Sequence, residues 1–169
     1  MPDELQTLDK LLLQRLNIVC TTYAIDPECQ EYSGCSCTIA SHRIIYRKAK
    51  ITPKKIGQFV TVWKRNEAGI TAPFSTADTI DFFIILTEDQ HQSGCFIFPK
   101  AVLEQHGIIT TDAKEGKRGF RVYPSWDTPT SKQALKTQQW QQQYFISLTA
   151  WNNQTQALAQ SILRLADTK

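Results

Sequence analysis

The chain has 169 residues, a formal net charge of +3, and 41% hydrophobic against 21% charged residues. That balance excludes a disordered or fibrous chain and suits one domain, residues 1–169, with its own core. The longest unbroken apolar run, Phe82 to Leu86, is too short to span a membrane.

The opening decapeptide MPDELQTLDK is polar and acidic, so no secretory signal is expected there. The five cysteines (Cys20, Cys29, Cys35, Cys37 and Cys95) make an odd number without a framework spacing. Both features favour reduced thiols and a cytoplasmic protein. Leu5, Leu8, Leu12, Leu16 and Val19 recur at three- and four-residue steps, which predicts an amphipathic helix over 3–20. Asp26-Pro27 interrupts it, and Pro27 can open a short second helix carrying Glu28 and Glu31. Ser33-Gly34 ends that helix.

Residues 38–51 read as an extended hairpin turning near Ser41-His42, and Thr52 to Gly57 as a turn around Pro53. Phe59 to Lys64 reads as a strand, with Val60 and Val62 on one face. The stretch Arg43–Arg65 also holds eight of the nineteen Lys and Arg residues and no Asp or Glu. These eight are Arg43, Arg47, Lys48, Lys50, Lys54, Lys55, Lys64 and Arg65, interleaved with Tyr46, Phe59 and Trp63. Cations spaced among aromatics suit a polyanion whose bases can stack. The plainer reading is a solvated sheet edge, where Lys blocks edge-to-edge pairing.

Asn66 to Ala77 is a predicted loop. Ile80 to Thr87 is a hydrophobic strand interrupted only by Asp81, as expected for burial on both faces. Gly94 is placed at a turn into a strand over Cys95–Phe98, and Ala101–Gln105 forms a short helix stopped at Gly107. After a polar loop over 112–119, Phe120–Tyr123 forms a last strand. A long helix then follows a cap at Thr130 or Ser131, with Ala134, Gln138, Gln141, Phe145 and Leu148 on one face. A terminal helix from about Asn153 uses Leu158, Ile162 and Leu165.

A second basic cluster comprises Lys117, Arg118 and Arg121, with Tyr123 and Trp126 close behind. Arg offers phosphate a planar fork and Trp126 a stacking surface; a polar loop with one salt-bridged Arg is the plainer account. The glutamines around Trp140 could read base edges, but Gln is also a good solvated helix former. Cys35-x-Cys37 with His42 supplies too few ligands for a closed zinc site.

Four segments together resemble the MepB-like family of small bacterial proteins. They are KAKITPKKIGQFVTVWKR (48–65), DTIDFFII (78–85), GCFIFPK (94–100) with its helix to 105, and GKRGFRVYPSW (116–126). QALKTQQWQQQYF (133–145) fits as well, so the resemblance runs from about 31 to 145. It implies an α/β fold of the restriction-endonuclease-like, PD-(D/E)XK class: one mixed central sheet flanked by helices. Nucleases of that class hold Mg²⁺ between an Asp on one strand, a (D/E)-x-Lys on the next and an acidic residue from an earlier helix. On that pattern Asp81, Lys100 and Glu31 are the candidate catalytic residues, Asp81 the candidate metal ligand and Mg²⁺ the candidate cofactor. The (D/E)-x-Lys place reads Phe98-Pro99-Lys100, so one carboxylate is missing.

The expectation is therefore a nucleic-acid-binding protein, DNA first, with a degenerate catalytic centre. Its candidate contacts are Arg47, Lys48, Lys50, Lys54, Lys55, Trp63, Lys64, Arg65, Lys117, Arg118, Arg121 and Trp126. The alternatives are a Mg²⁺-dependent nuclease with a rearranged carboxylate set, and a regulatory module that docks an acidic protein partner.

Overall fold

Two hydrophobic cores lie on the two faces of a six-stranded sheet. The computed structural model describes residues 1–165. The sheet has the order β1-β2-β3-β8-β9-β11, built from β1 (Cys20–Ile25), β2 (Cys35–Ile39), β3 (His42–Lys48), β8 (Phe82–Glu88), β9 (Ser93–Pro99) and β11 (Phe145–Ser147). Neighbours run antiparallel except β3 and β8, which are parallel, so the sheet is mixed. β8 shows why this strand is central. Phe82, Ile84 and Leu86 enter one core while Phe83 and Ile85 enter the other, as a period of two requires when both faces are covered.

The first core is roofed by helices. α1 (Asp3–Leu8) continues as a wider turn over Asp9–Leu13, burying Leu5, Leu8, Leu12 and Leu13. α4 (Asn153–Ile162) adds Ala159 and, just beyond its end, Leu163. The second core is roofed by a smaller sheet and two helices. That sheet has the order β10-β5-β4, from β4 (Lys50–Ile51), β5 (Gln58–Thr61) and β10 (Gly119–Val122). α2 (Lys100–Gln105) and α3 (Lys132–Gln141) flank it, and β6 (Trp63–Arg65) pairs with β7 (Thr71–Pro73) as a hairpin at its side. No helix of the described residues is long and apolar enough to cross a membrane.

Several boundaries differ from the sequence reading. The N-terminal helix stops well before residue 20, because Asn17 turns left-handed and Cys20 already pairs with Ile39 in β1. Val19 is accordingly 72% exposed rather than packed. The stretch 59–64 breaks at Val62 into β5 and β6, and neither joins the main sheet. Gly94 lies inside β9 instead of at a turn. A Cβ there would clash with the Phe145 ring, so glycine is what lets β11 close on β9. The predicted long helix ends at Gln141, and Phe145 belongs to a strand.

Candidate functional site

The basic stretch is divided by the fold, and most of its charge is neutralised. Arg47 is 1% exposed: its guanidinium donates to Asp26 Oδ2 at 2.9 Å and to the Tyr46 carbonyl at 2.9 Å. It belongs to the interior and not to a binding face, a correction to the sequence reading. β3 is covered on both sides there, so Tyr46 and Arg47 are both buried despite pointing opposite ways. Lys48 pairs with Glu88 at 3.0 Å, and Lys50 with Glu31 at 3.7 Å beside the Tyr32 ring. Lys64 binds the Asp78 carboxylate. Arg65 pairs with Glu28 at 3.0 Å and lies over Trp63. That bond holds the Glu28 carboxyl below its ordinary range. Arg118 meets Glu115 at 3.3 Å.

Of the ten basic residues among the candidate contacts, four escape this pairing, and the fold brings them to one side of the molecule. Lys54 and Lys55 sit in the turn between β4 and β5, where Lys54 has a φ of +65°. Lys117 precedes β10, and Arg121 is inside it. No carboxylate lies within salt-bridge distance of any of the four among the described residues. Arg121 is held by neutral acceptors, the Ile56 carbonyl at 3.2 Å and the Thr52 hydroxyl, so it is positioned without losing its charge.

These side chains line two adjoining hollows along α3, each of about 300 Å³. The first has Lys54 and Lys55 at its mouth, the second Lys117, and both share Arg121, Tyr123, Ser131 and Ala134. Neither is lined by an Asp or Glu. A third hollow adjoins them and adds Lys136, sharing His106, Gln133, Thr137 and Trp140 with the second. The result is one continuous groove. Ser131 caps α3 by accepting from the Ala134 N–H at 3.1 Å, as its sequence position predicts. His106 stacks on Trp140 with ring centroids 3.8 Å apart and planes 6° from parallel. Partial burial pushes the His106 pKa below its ordinary value, which favours the neutral ring.

The groove is only partly legible in the sequence. Lys54, Lys55, Lys117 and Arg121 are all among the candidates, but nothing in their spacing ties the two clusters together. The antiparallel register of β10 on β5 does so by placing Arg121 opposite Phe59. His106 and Thr137 escape notice in the sequence, since neither belongs to a charge run. Trp126 is half-buried in a T-shaped pair with Phe145, and it lines a separate hollow together with Lys55, Asp89 and Asp127.

The carboxylate candidates are separated. Asp81 precedes β8, and its Oδ2 accepts from the Arg43 N–H at 2.8 Å, at the start of β3. Glu31 pairs with Lys50, just past the other end of β3. With seven residues in that strand, the two stand roughly 20 Å apart. Lys100 is near Asp81, since its N–H donates to the Asp81 carbonyl at 3.0 Å. Its ammonium, however, is spent on the carbonyls of Thr76 at 2.9 Å and Asp78 at 2.6 Å. Phe98 is fully buried against Phe96, Phe120 and Trp140, which leaves no opening for a ligand there. The residues present therefore do not fit a Mg²⁺ centre of the expected kind. No group of three His, Cys, Asp or Glu suited to a metal occurs among the described residues.

A family model described as MepB-like matches residues 26–147, more than half of the chain. The chain belongs to the MepB-like family. A solved structure described as the crystal structure of MepB is similar to it at 32% sequence identity, with a TM-score of 0.77. That likeness covers 90% of this chain and 100% of the other. No curated protein matches the chain. The matched segment contains Lys54, Lys55, Lys117 and Arg121 together with all of α3, so the groove lies within the part shared with the family.

Proposed function

We propose that this chain binds nucleic acid, DNA first, through the groove along α3, and does so without working metal-nuclease chemistry. One observation carries the reading: Lys54, Lys55, Lys117 and Arg121 converge on a groove lined by no Asp or Glu, while six other basic side chains are neutralised. Phosphate is the anion that such a groove suits, because binding releases the counterions condensed on the polymer. The Gln133 amide, and the Thr137 hydroxyl oxygen as an acceptor, offer polar contacts to sugars or base edges.

The order Asp81, Phe98, Lys100 along β8, β9 and α2 supports descent from a restriction-endonuclease-like fold whose carboxylates have been lost or reassigned. Asp81 now fastens β3 to the start of β8, and Lys100 fastens the 76–78 loop. All five cysteines are free and buried, which supports a reducing compartment such as the cytoplasm.

The test is fluorescence anisotropy on duplex DNA across a salt series. With four phosphate contacts, log K against log salt is expected to fall with a slope of about −3 to −4. A flat response, or no binding at low salt, removes the reading. Cleavage by the wild-type protein with Mg²⁺ or Mn²⁺ would overturn its second half.

A further inference from the structure

The two halves of the groove differ in charge density. The hollow at the turn holds three cations, Lys54, Lys55 and Arg121, around a space of about 300 Å³. The neighbouring hollow is of the same size but adds only Lys117, beside His106, Gln133, Thr137 and Trp140. A backbone phosphodiester carries a single negative charge, and one fork or one ammonium satisfies it. Three cations converging on one small hollow exceed that need. They match a phosphomonoester, which at neutral pH carries about −1.5 to −2 and three strong acceptor oxygens.

From this we propose that the groove recognises a terminal phosphate, with the nucleoside that bears it lying in the adjoining hollow. The inference rests on the nucleic-acid reading above and sharpens it from a strand to a strand end. Arg121 supplies the fixed part of the site, since the Ile56 carbonyl and the Thr52 hydroxyl orient its guanidinium before any ligand arrives. Lys54 and Lys55 supply the movable part. Lys54 takes a left-handed backbone conformation, and it and Lys55 both line the same hollow. The Ser131 oxygen accepts from the Ala134 N–H, which leaves its hydroxyl proton to donate to an anion oxygen. The charge of the anion is met by the three cations. The second hollow suits the nucleoside attached to such a phosphate, with the polar ends of Gln133 and Thr137 and the rings of His106 and Trp140 along its wall.

The same chemistry is presented by a free nucleoside monophosphate and by the phosphorylated end of a single strand, and the experiment separates them. Short single-stranded oligonucleotides of one sequence would be compared by anisotropy with a 5′-phosphate, a 3′-phosphate or neither, the label being at the opposite end. A nucleoside monophosphate and its nucleoside would be titrated separately by calorimetry. The expected result is binding at least tenfold tighter for one phosphorylated end. Lys54→Gln and Lys55→Gln should each erode that preference, and Arg121→Gln should abolish it. Because Arg121 also joins β10 to the turn, the two exposed lysine variants keep the test valid if the arginine variant fails to fold. Binding of the monophosphate, with no binding of any oligonucleotide, would support the phosphate site while removing the nucleic-acid reading. Equal binding of phosphorylated and unphosphorylated strands would overturn the inference and leave that reading standing.

Discussion

Arg47 carries a full charge into the interior, and Asp26 is what makes that tolerable. The guanidinium side chain is 2% exposed while the Asp26 side chain is 30% exposed, so the pair sits at the border of core and solvent. Breaking a buried pair costs about 3–5 kcal/mol, because one charge is stranded in low dielectric. With Asp26 partly in water that figure should be discounted. Asp26→Asn is expected to destabilise by about 2 kcal/mol in urea unfolding, with m unchanged. Adding Arg47→Met should recover part of the loss, since the stranded charge is then gone. Additive losses in the double variant would show that the pair is not coupled. The same residues explain what sequence could not reveal. Arg47 and Lys54 read alike as cations in one run, and only the covering of β3 from both sides sends one inward. A strand that is covered on both faces buries whatever it carries.

At the scale of elements, continuous apolar runs were the most legible and exposed strands the least. Phe82–Leu86 announced a doubly covered strand, and β8 lies between β3 and β9 at the middle of the sheet. β1 was invisible because only Cys20 in it is buried, so CTTYAI shows no alternation to read. The stretch 59–64 reads as one strand but divides between two small sheets, since periodicity reports which face is apolar and not which neighbour pairs with it. The break at Val62 follows from tertiary pairing: its N–H goes to the Arg118 carbonyl at 2.9 Å. β8 also yields a clean test. Phe83 and Ile84 are at most 1% exposed and enter opposite cores. Phe83→Ala and Ile84→Ala should each cost about 2–5 kcal/mol, seen as a lower denaturant midpoint. Because the two cavities open on opposite faces, the losses should add within a few tenths of a kcal/mol. A strongly non-additive pair would mean that the two cores are not separated by the sheet as described.

For the whole molecule, the two layers divide the work. α1 and α4 roof one core, while the small sheet and α3 roof the other and carry the groove. The carboxylates are distributed so that the cations near Glu28, Glu31, Asp78, Glu88 and Glu115 are neutralised, and the α3 side keeps its field. The net charge of +3 therefore understates the local potential that a polyanion would meet. This asymmetry predicts a directional response to charge reversal. Lys54→Glu with Lys55→Glu should weaken DNA binding steeply and flatten the salt slope, since both cations line the groove that phosphate would enter. Lys10→Glu with Arg164→Glu changes the net charge by the same amount on the helical layer, where the sheet separates it from the groove. At moderate ionic strength the potential of an exposed charge decays over about 10 Å, so that pair should leave the slope nearly unchanged. Equal effects from the two pairs would mean that binding responds to total charge alone, and the groove along α3 would lose its claim to be the interface.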